Sequence, residues 1–292
     1  MSNEIEVHPS GAALGAEIRG VDLSAGIDDA GFRKIRDALY QHEVLVLRNQ
    51  HLQPQHQVDF ARHFGPLRAL NYGYQVPAHP EIYILSNVVE NGQAIGTNDA
   101  GRYWHTDGAY LAKPHLLSML YAHEVPSRDG APLGDTLFAS TTKAYETLPQ
   151  ATKDRIAGLH GKHSLELRYQ EERYERDDPE RRHTPNKVLS SEKSSRPPAV
   201  HPLVRMHPQT GRPCLFVTEG YTSAIVELDD DQARPLIAEL CAHGLRPELM
   251  YRHRWQVGDL LIWDDCSTIH RATFDYPPEA RRLMHRCVVS GD

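Results

Sequence analysis

Residues 250–265, MYRHRWQVGDLLIWDD, read as a strand, a Gly258-Asp259 turn and a second strand whose LLIW run is apolar throughout. The closing stretch, RRLMHRCVVSGD from Arg281, reads as the last strand. Upstream, HPLVRMHPQTGRPCLFVT from His201 places two short strands around the turn PQTGR, a hairpin pattern. VLVLRNQ from Val44 is β-branched and apolar, and IYILSNVV (Ile82 to Val89), LLSMLYAHEV and AEIRGVDL add further short strands. Between them lie helical patterns. FRKIRDALYQH places Phe32, Ile35, Leu39 and Tyr40 at helical spacing, Pro54 opens QHQVDFARHFG, and DDDQARPLIAELCAHG has an acidic first turn and a glycine stop. Shorter helices are expected near Thr141–Leu148 and in PQATKDRIAGLH. Many short strands with turn signals and a few helices give a mainly β fold, a sandwich or jelly roll flanked by helices.

The composition fits an ordinary soluble globular chain. Of 292 residues, 40% are hydrophobic and 24% charged, which excludes a wholly disordered protein. No apolar run of about 18 residues exists, so no membrane span is expected. The first residues, MSNEIEVHPSGAALG, lack the basic start and apolar core of a signal peptide, and the expected location is the cytoplasm. A net charge of −7 argues against a nucleic-acid binder. The cysteines, Cys214, Cys241, Cys266 and Cys287, form no C-x-x-C pair, so they read as reduced thiols rather than a zinc knuckle. The segment 166–198 is densely charged and then Pro/Ser-rich. It reads as a lid-like insertion in one domain spanning 1–292, with a solvated charged helix and loop as the plainer alternative.

Histidine is the oddity, with 18 in the chain. In WHTDGAY, His105 and Asp107 are two apart, and in an extended chain they share a face on which a divalent metal could bind. By itself the pair says little: His79-Pro80-Glu81 is a second H-x-D/E match, and this composition gives about two by chance. His270, after the LLIWDD strand, changes the odds. Two histidines and a carboxylate are the facial triad of non-haem Fe(II) oxygenases, which leaves coordination positions open. Arg281, Arg282 and Arg286 follow on the last strand, and a 2-oxo acid needs such a planar cation for its distal carboxylate. Alternation turns Arg281 away from Arg282.

The chain resembles the taurine/2,4-dichlorophenoxyacetate dioxygenase family of Fe(II)- and 2-oxoglutarate-dependent enzymes. The likeness runs through LGAEIRGVDL, VLVLRNQ, RHFGPL, WHTD, GDTLFAS with AYETLP, HPLVRMHPQTG, YRHRWQVGDLLIWDD, and HRATFDY with RRLMHR, in that order. It implies a double-stranded β-helix core, Fe(II) held by His105, Asp107 and His270, 2-oxoglutarate as cosubstrate, and O2. Arg282 and Thr136 match the residues that hold the distal carboxylate of 2-oxoglutarate. Arg286 matches an arginine that reaches toward the anionic group of the primary substrate. The retained Asp107 favours oxygen transfer over halogenation, since halogenases of this broad class replace that carboxylate. Two family positions that bind taurine are Leu70 and Tyr103 here, which argues against taurine. Tyr72, Tyr74, Tyr103 and Tyr110 are expected to include one or two residues of a more aromatic pocket. Trp263 and Phe138 read as apolar walls or plain core.

The resemblance therefore implies hydroxylation of a C–H bond in a small organic anion: an aryloxyalkanoate, an alkyl sulfate, a sulfonate other than taurine, or an amino-acid-like carboxylate. Succinate and CO2 are the coproducts, and a homodimer or homotetramer is expected. Desaturation or cyclisation by the same cofactors stays open. A non-catalytic metal- or ligand-binding jelly roll would be missing a ligand or arginine, and none is missing. A zinc hydrolase would need a general base near the histidines, and neither WHTDGAY nor TIHRAT supplies one.

Overall fold

The computed structural model describes residues 4–70, 73–98, 100–165 and 197–291. The charged segment expected as a lid lies outside them, except for its last two residues. Strand outweighs helix, 33% against 22%, so the mainly β reading with flanking helices holds. Among the described residues, no helix is long and apolar enough to cross a membrane.

Eight strands form the main sheet. Across it run Glu6–Pro9, Ala16–Arg19, Val44–Leu47, Leu260–Asp264, Leu117–Glu124, Leu283–Val289, His79–Ser86 and Gln75–Val76. Among the described strands of this sheet, only the Ala16–Arg19 and Val44–Leu47 pair is parallel. A three-stranded antiparallel sheet, Met250–His253, Thr136–Ser140 and Thr268–Ala272, faces it.

The central strands are apolar on both sides because both faces of the sheet are covered. Leu45, Leu47, Leu117, Met119, Leu260, Ile262, Cys287 and Val289 form the outer layer. They pack against Ile35, Ala38 and Leu39 of the Asp29–His42 helix and Val58, Phe60 and Ala61 of the Pro54–Arg62 helix. Their neighbours Val44, Val46, Leu120, Ala122, Leu261, Trp263, Met284 and Val288 point the other way and meet Phe138, Tyr251 and Trp255 of the smaller sheet or its connection. Strand alternation thus sorts each run into two cores.

The stretch 250–265 links the two sheets. Met250–His253 lies in the small sheet and Leu260–Asp264 in the large one, so its two strands do not pair with each other. Thr268–Ala272 returns to the small sheet and Leu283–Val289 to the large one. The hairpin read from HPLVRMHPQTGRPCLFVT is present, with Val204 opposite Leu215. Helices occupy Thr141–Glu146, Gln150–Ile156 and Asp230–Gly244, as their patterns predict.

Phe138 is fully buried where the sheets meet, its ring 5.7 Å from both Trp263 and His270. Phe138→Ala is expected to cost about 3–5 kcal/mol, since the rigid sheets cannot collapse onto the cavity. Urea unfolding with an unchanged m-value would register it.

Candidate active site

The WHTD segment joins the small sheet by a single antiparallel bridge. His105 N–H donates to His270 C=O (3.1 Å) and His270 N–H to His105 C=O (2.7 Å). This bridge sets the two imidazoles side by side, with ring centroids 4.2 Å apart. Asp107 completes the group. Its Oδ1 lies 3.5 Å from His105 Nε2 and its Oδ2 3.8 Å from His270 Nε2. One ligand atom from each of the three residues falls within 4.8 Å of the others, and all three residues are buried.

Local structure explains the placement. His105 Nδ1 lies 2.8 Å from the Tyr103 carbonyl. A carbonyl only accepts, so Nδ1 carries the proton and Nε2 is left as a lone-pair donor beside Asp107. Gly108 turns the chain at φ 72°, and a Cβ there would lie 2.9 Å from the His115 ring, so the residue after Asp107 must be glycine. The second histidine is set by Asp264. Its Oδ1 accepts from Cys266 N–H (2.8 Å) and Ser267 N–H (2.9 Å), forming the turn that feeds the Thr268–Ala272 strand. His207, from the 204–215 hairpin, secures the other oxygen of Asp264 at 2.6 Å.

The electrostatics suit a cation. Burial works against ionised Asp107, but the Arg286 guanidinium paired with it overcomes this and holds the carboxyl well below its usual range. Burial also keeps His270 neutral. A carboxylate and two imidazoles with ring nitrogens facing inward are the donor set of a non-haem iron site, so these residues fit Fe(II).

Arg286 on the last strand and Arg282 immediately before it are both turned inward. Arg281, between Arg282 and the loop before it, is exposed and forks onto Glu124 at 2.6 and 2.8 Å, as alternation predicts. Arg282 is buried, and its guanidinium has no hydrogen-bond or ion-pair partner among the described residues. It opens onto a small, partly open cleft lined by Ser86, Asn87, Thr97, Phe274 and Tyr276 among others. Gly134 permits this: a Cβ there would lie 2.9 Å from the Tyr276 ring and 3.4 Å from Arg282 Nε. Ala100 also lines the cleft, and the next residue, Gly101, lies against His105, so cleft and triad adjoin. Thr136 stands two residues from Phe138 on the same strand face. Trp255 Nε1–H donates to its oxygen at 3.1 Å, which leaves the Thr136 proton free to donate elsewhere.

The other expected residues are scattered more widely. Tyr103 is buried beside His105, ring centroids 5.1 Å apart. Leu70 is buried in the inner core and Tyr74 packs half-buried against it. Tyr110 meets Tyr221 at 5.1 Å, and Tyr72 lies outside the described residues. Trp263 and Phe138 flank His270, so both wall and core readings apply to them. Arg286 reaches Asp107 itself, and Ser118 at 3.3 Å. Sequence reasoning missed Tyr221, Tyr276 and Ser118, which carry no motif. It also missed Asp265, although two adjacent acids ending an apolar strand were a visible anomaly.

Known proteins resemble the chain over nearly its whole length. Residues 6–288 match the model of the "Taurine catabolism dioxygenase TauD, TfdA family". Pentalenolactone F synthase of Streptomyces avermitilis is 36% identical, over 97% of this chain and 92% of its own length. The alpha-ketoglutarate-dependent 2,4-dichlorophenoxyacetate dioxygenase of Cupriavidus pinatubonensis is 30% identical, over 99% and 98%. Among solved structures, a taurine dioxygenase from Burkholderia xenovorans superposes with a TM-score of 0.79 at 29% identity, covering 99% of this chain and 90% of that one. AAD-2, solved with Mn(II) and N-oxalylglycine, gives 0.79 at 25%, covering 99% and 98%. The chain belongs to the TauD/TfdA family of Fe(II)- and 2-oxoglutarate-dependent dioxygenases.

Proposed function

We propose that this protein oxidises a C–H bond of a small organic acid, with His105, Asp107 and His270 holding Fe(II) and with Arg282 and Thr136 anchoring 2-oxoglutarate. The observation that carries the reading is the buried Arg282 guanidinium, without a partner among the described residues, facing a cleft next to the triad. A buried cation without an anion is costly, and such a group persists where a ligand supplies the anion. Iron and 2-oxoglutarate, when bound, supply the two-electron oxidation of the substrate by O2, with succinate and CO2 as coproducts.

The chain's own residues position and enclose. Arg282 offers a planar fork that matches a carboxylate, and Thr136 adds a hydroxyl donor. Trp263 and Phe138 hold the His270 ring between the sheets. No side chain is asked to move a proton in C–H cleavage, so the remaining histidines need no catalytic role. His285, for example, lies on the opposite strand face, against His123 at 4.0 Å. The alternation of successive strands between the two sheets supports a double-stranded β-helix in a single domain.

On the substrate side, Tyr103, Tyr110 and Tyr221 form an aromatic wall beside His105, and Arg286, paired with Asp107 in the metal-free protein, supplies a cation once a metal takes up that carboxylate. This pairing suits an apolar body bearing one acidic group. Relatives named for 2,4-dichlorophenoxyacetate, sulfate esters and (S)-phenoxypropionate are of that class.

The test is succinate release in air with Fe(II), ascorbate and 2-oxoglutarate over a panel of aryloxyalkanoates, alkyl sulfates, sulfonates, amino acids and polycyclic carboxylic acids. At least one arylalkyl or polycyclic acid should raise the rate on the order of tenfold over the substrate-free rate, with matched loss of that acid. Stimulation by amino acids alone would overturn the substrate class, and failure to consume 2-oxoglutarate under any condition would overturn the activity.

A further inference from the structure

Behind Asp107, facing away from His105, lies a polar chain that the reaction does not explain. Ser118 has no exposed surface. Its Oγ lies 3.0 Å from Asp107 Oδ2, 2.8 Å from Asp265 Oδ2 and 3.3 Å from a terminal nitrogen of Arg286. Asp265 Oδ1 accepts from Trp263 Nε1–H at 3.0 Å. Its backbone is tied on both sides: its N–H donates to the Leu116 carbonyl (3.0 Å), and its carbonyl accepts from the Thr106 hydroxyl (2.5 Å). Thr106 stands between two of the triad residues.

Hydrogen-bond counting constrains this chain. A serine hydroxyl has one proton to donate and two lone pairs to accept with. Arg286 can only donate, so it takes one lone pair. Two carboxylate oxygens remain, and one proton cannot serve both. With both acids ionised, a lone pair of the hydroxyl would face a buried carboxylate oxygen across about 3 Å. A proton on Asp265 Oδ2 removes the conflict. Trp263 then donates to Asp265 Oδ1, Asp265 donates to Ser118, and Ser118 donates to Asp107. Every donor and acceptor of the hydroxyl is used, and Asp107 with Arg286 forms a neutral pair. Burial acts in the same direction, raising the Asp265 carboxyl above its usual range.

We propose that Asp265 is a positioning residue: as a neutral acid it sets Ser118 as a donor to Asp107 Oδ2, fixing the metal-binding carboxylate with Oδ1 turned toward His105. The inference rests on the reading of His105, Asp107 and His270 as the iron site.

Metal affinity tests it without turnover. Mn(II) is titrated into metal-free protein, the free ion is followed by electron paramagnetic resonance, and metal-free Tm is recorded for each variant. Outer partners of metal ligands are typically worth about 10–100-fold in affinity, so Ser118→Ala and Asp265→Ala should weaken Mn(II) binding by that much, while Asp265→Asn stays within about threefold. The asparagine amide donates to Ser118 where the acid proton did, and its oxygen still accepts from Trp263. Rescue of Mn(II) affinity by Asp265→Asn but not by Asp265→Ala is a result that packing alone would not produce. Asp265→Asn as weak as Asp265→Ala would mean that an ionised Asp265 is required, and Ser118→Ala binding as tightly as wild type would mean that the chain does not position Asp107. Either overturns the inference. Wild-type protein that fails to bind Mn(II) would instead sink the iron-site reading.

Discussion

Asp107→Ala and His105→Ala are both expected to abolish Fe(II) binding and substrate-dependent succinate formation, but only the first should also destabilise the metal-free protein. Each removes one of three ligands. Partners outside the ligand shell already account for about 10–100-fold in metal affinity, so the loss of a ligand should exceed this. The difference lies behind the ligands. Asp107 is the anion that compensates Arg286, whose side chain is only 13% exposed. Truncating one member of a buried pair leaves an uncompensated charge, at about 3–5 kcal/mol. His105 has no such dependent: its Nδ1 proton bonds to a main-chain carbonyl, and its Nε2 faces the metal position. Metal titration and chemical denaturation of the two variants therefore separate the carboxylate's two tasks. Equal stability for both would mean that Arg286 finds another anion or water once Asp107 is gone.

Arg282→Met should act in the opposite sense on stability. The guanidinium is buried without an acid partner among the described residues, and burial lowers its pKa. Replacing it by an apolar side chain of similar length should leave the metal-free protein as stable as wild type or more so. 2-oxoglutarate affinity should fall steeply. Loss of a desolvated, charge-assisted pair is worth about 2–4 kcal/mol, on the order of a hundredfold in Kd. Arg282→Lys should fall between, since it keeps the charge and loses the fork. Calorimetric titration with 2-oxoglutarate and a melting curve measure both quantities. A large drop in Tm with unchanged 2-oxoglutarate affinity would make Arg282 a structural residue.

The individual elements were largely legible in the chain. The spacing of Phe32, Ile35 and Leu39 predicts the helix at Asp29–His42, and the apolar runs at Val44, Leu117 and Leu260 are strands. Partnership was less so. Period-2 patterning shows which residues share a face but not which sheet a strand joins. Hence 250–265 reads as a local strand–turn–strand, although its halves lie in opposite sheets with the buried Trp255 between them. The site shows the same division. His105 and Asp107 are close in sequence but ordinary in a histidine-rich chain, and only the backbone bridge to His270 gives the pair a partner. For Arg286 the direction of the side chain could be inferred from alternation, whereas its pairing with Asp107 spans most of the chain and has no local cue. Leu70 follows from a family position and Tyr74 from the run of nearby tyrosines, and the structure places both against the inner core. Ser118 and Asp265 gain meaning only from the strands on either side of them, because hydrogen-bond counting requires coordinates.

The central claim is that one ferrous ion and one 2-oxoglutarate share the His105–Asp107–His270 site, with Arg282 holding the far carboxylate. An anaerobic titration with Fe(II) and 2-oxoglutarate, read by visible absorption, tests it most directly, because a charge-transfer band arises only when a 2-oxo acid chelates ferrous iron. The band should grow in wild-type protein when both are present, be absent with succinate in place of 2-oxoglutarate and in His105→Ala, and need far more 2-oxoglutarate in Arg282→Met. A band that persists in His105→Ala, or no band in wild type with both present at saturating concentration, would contradict the account.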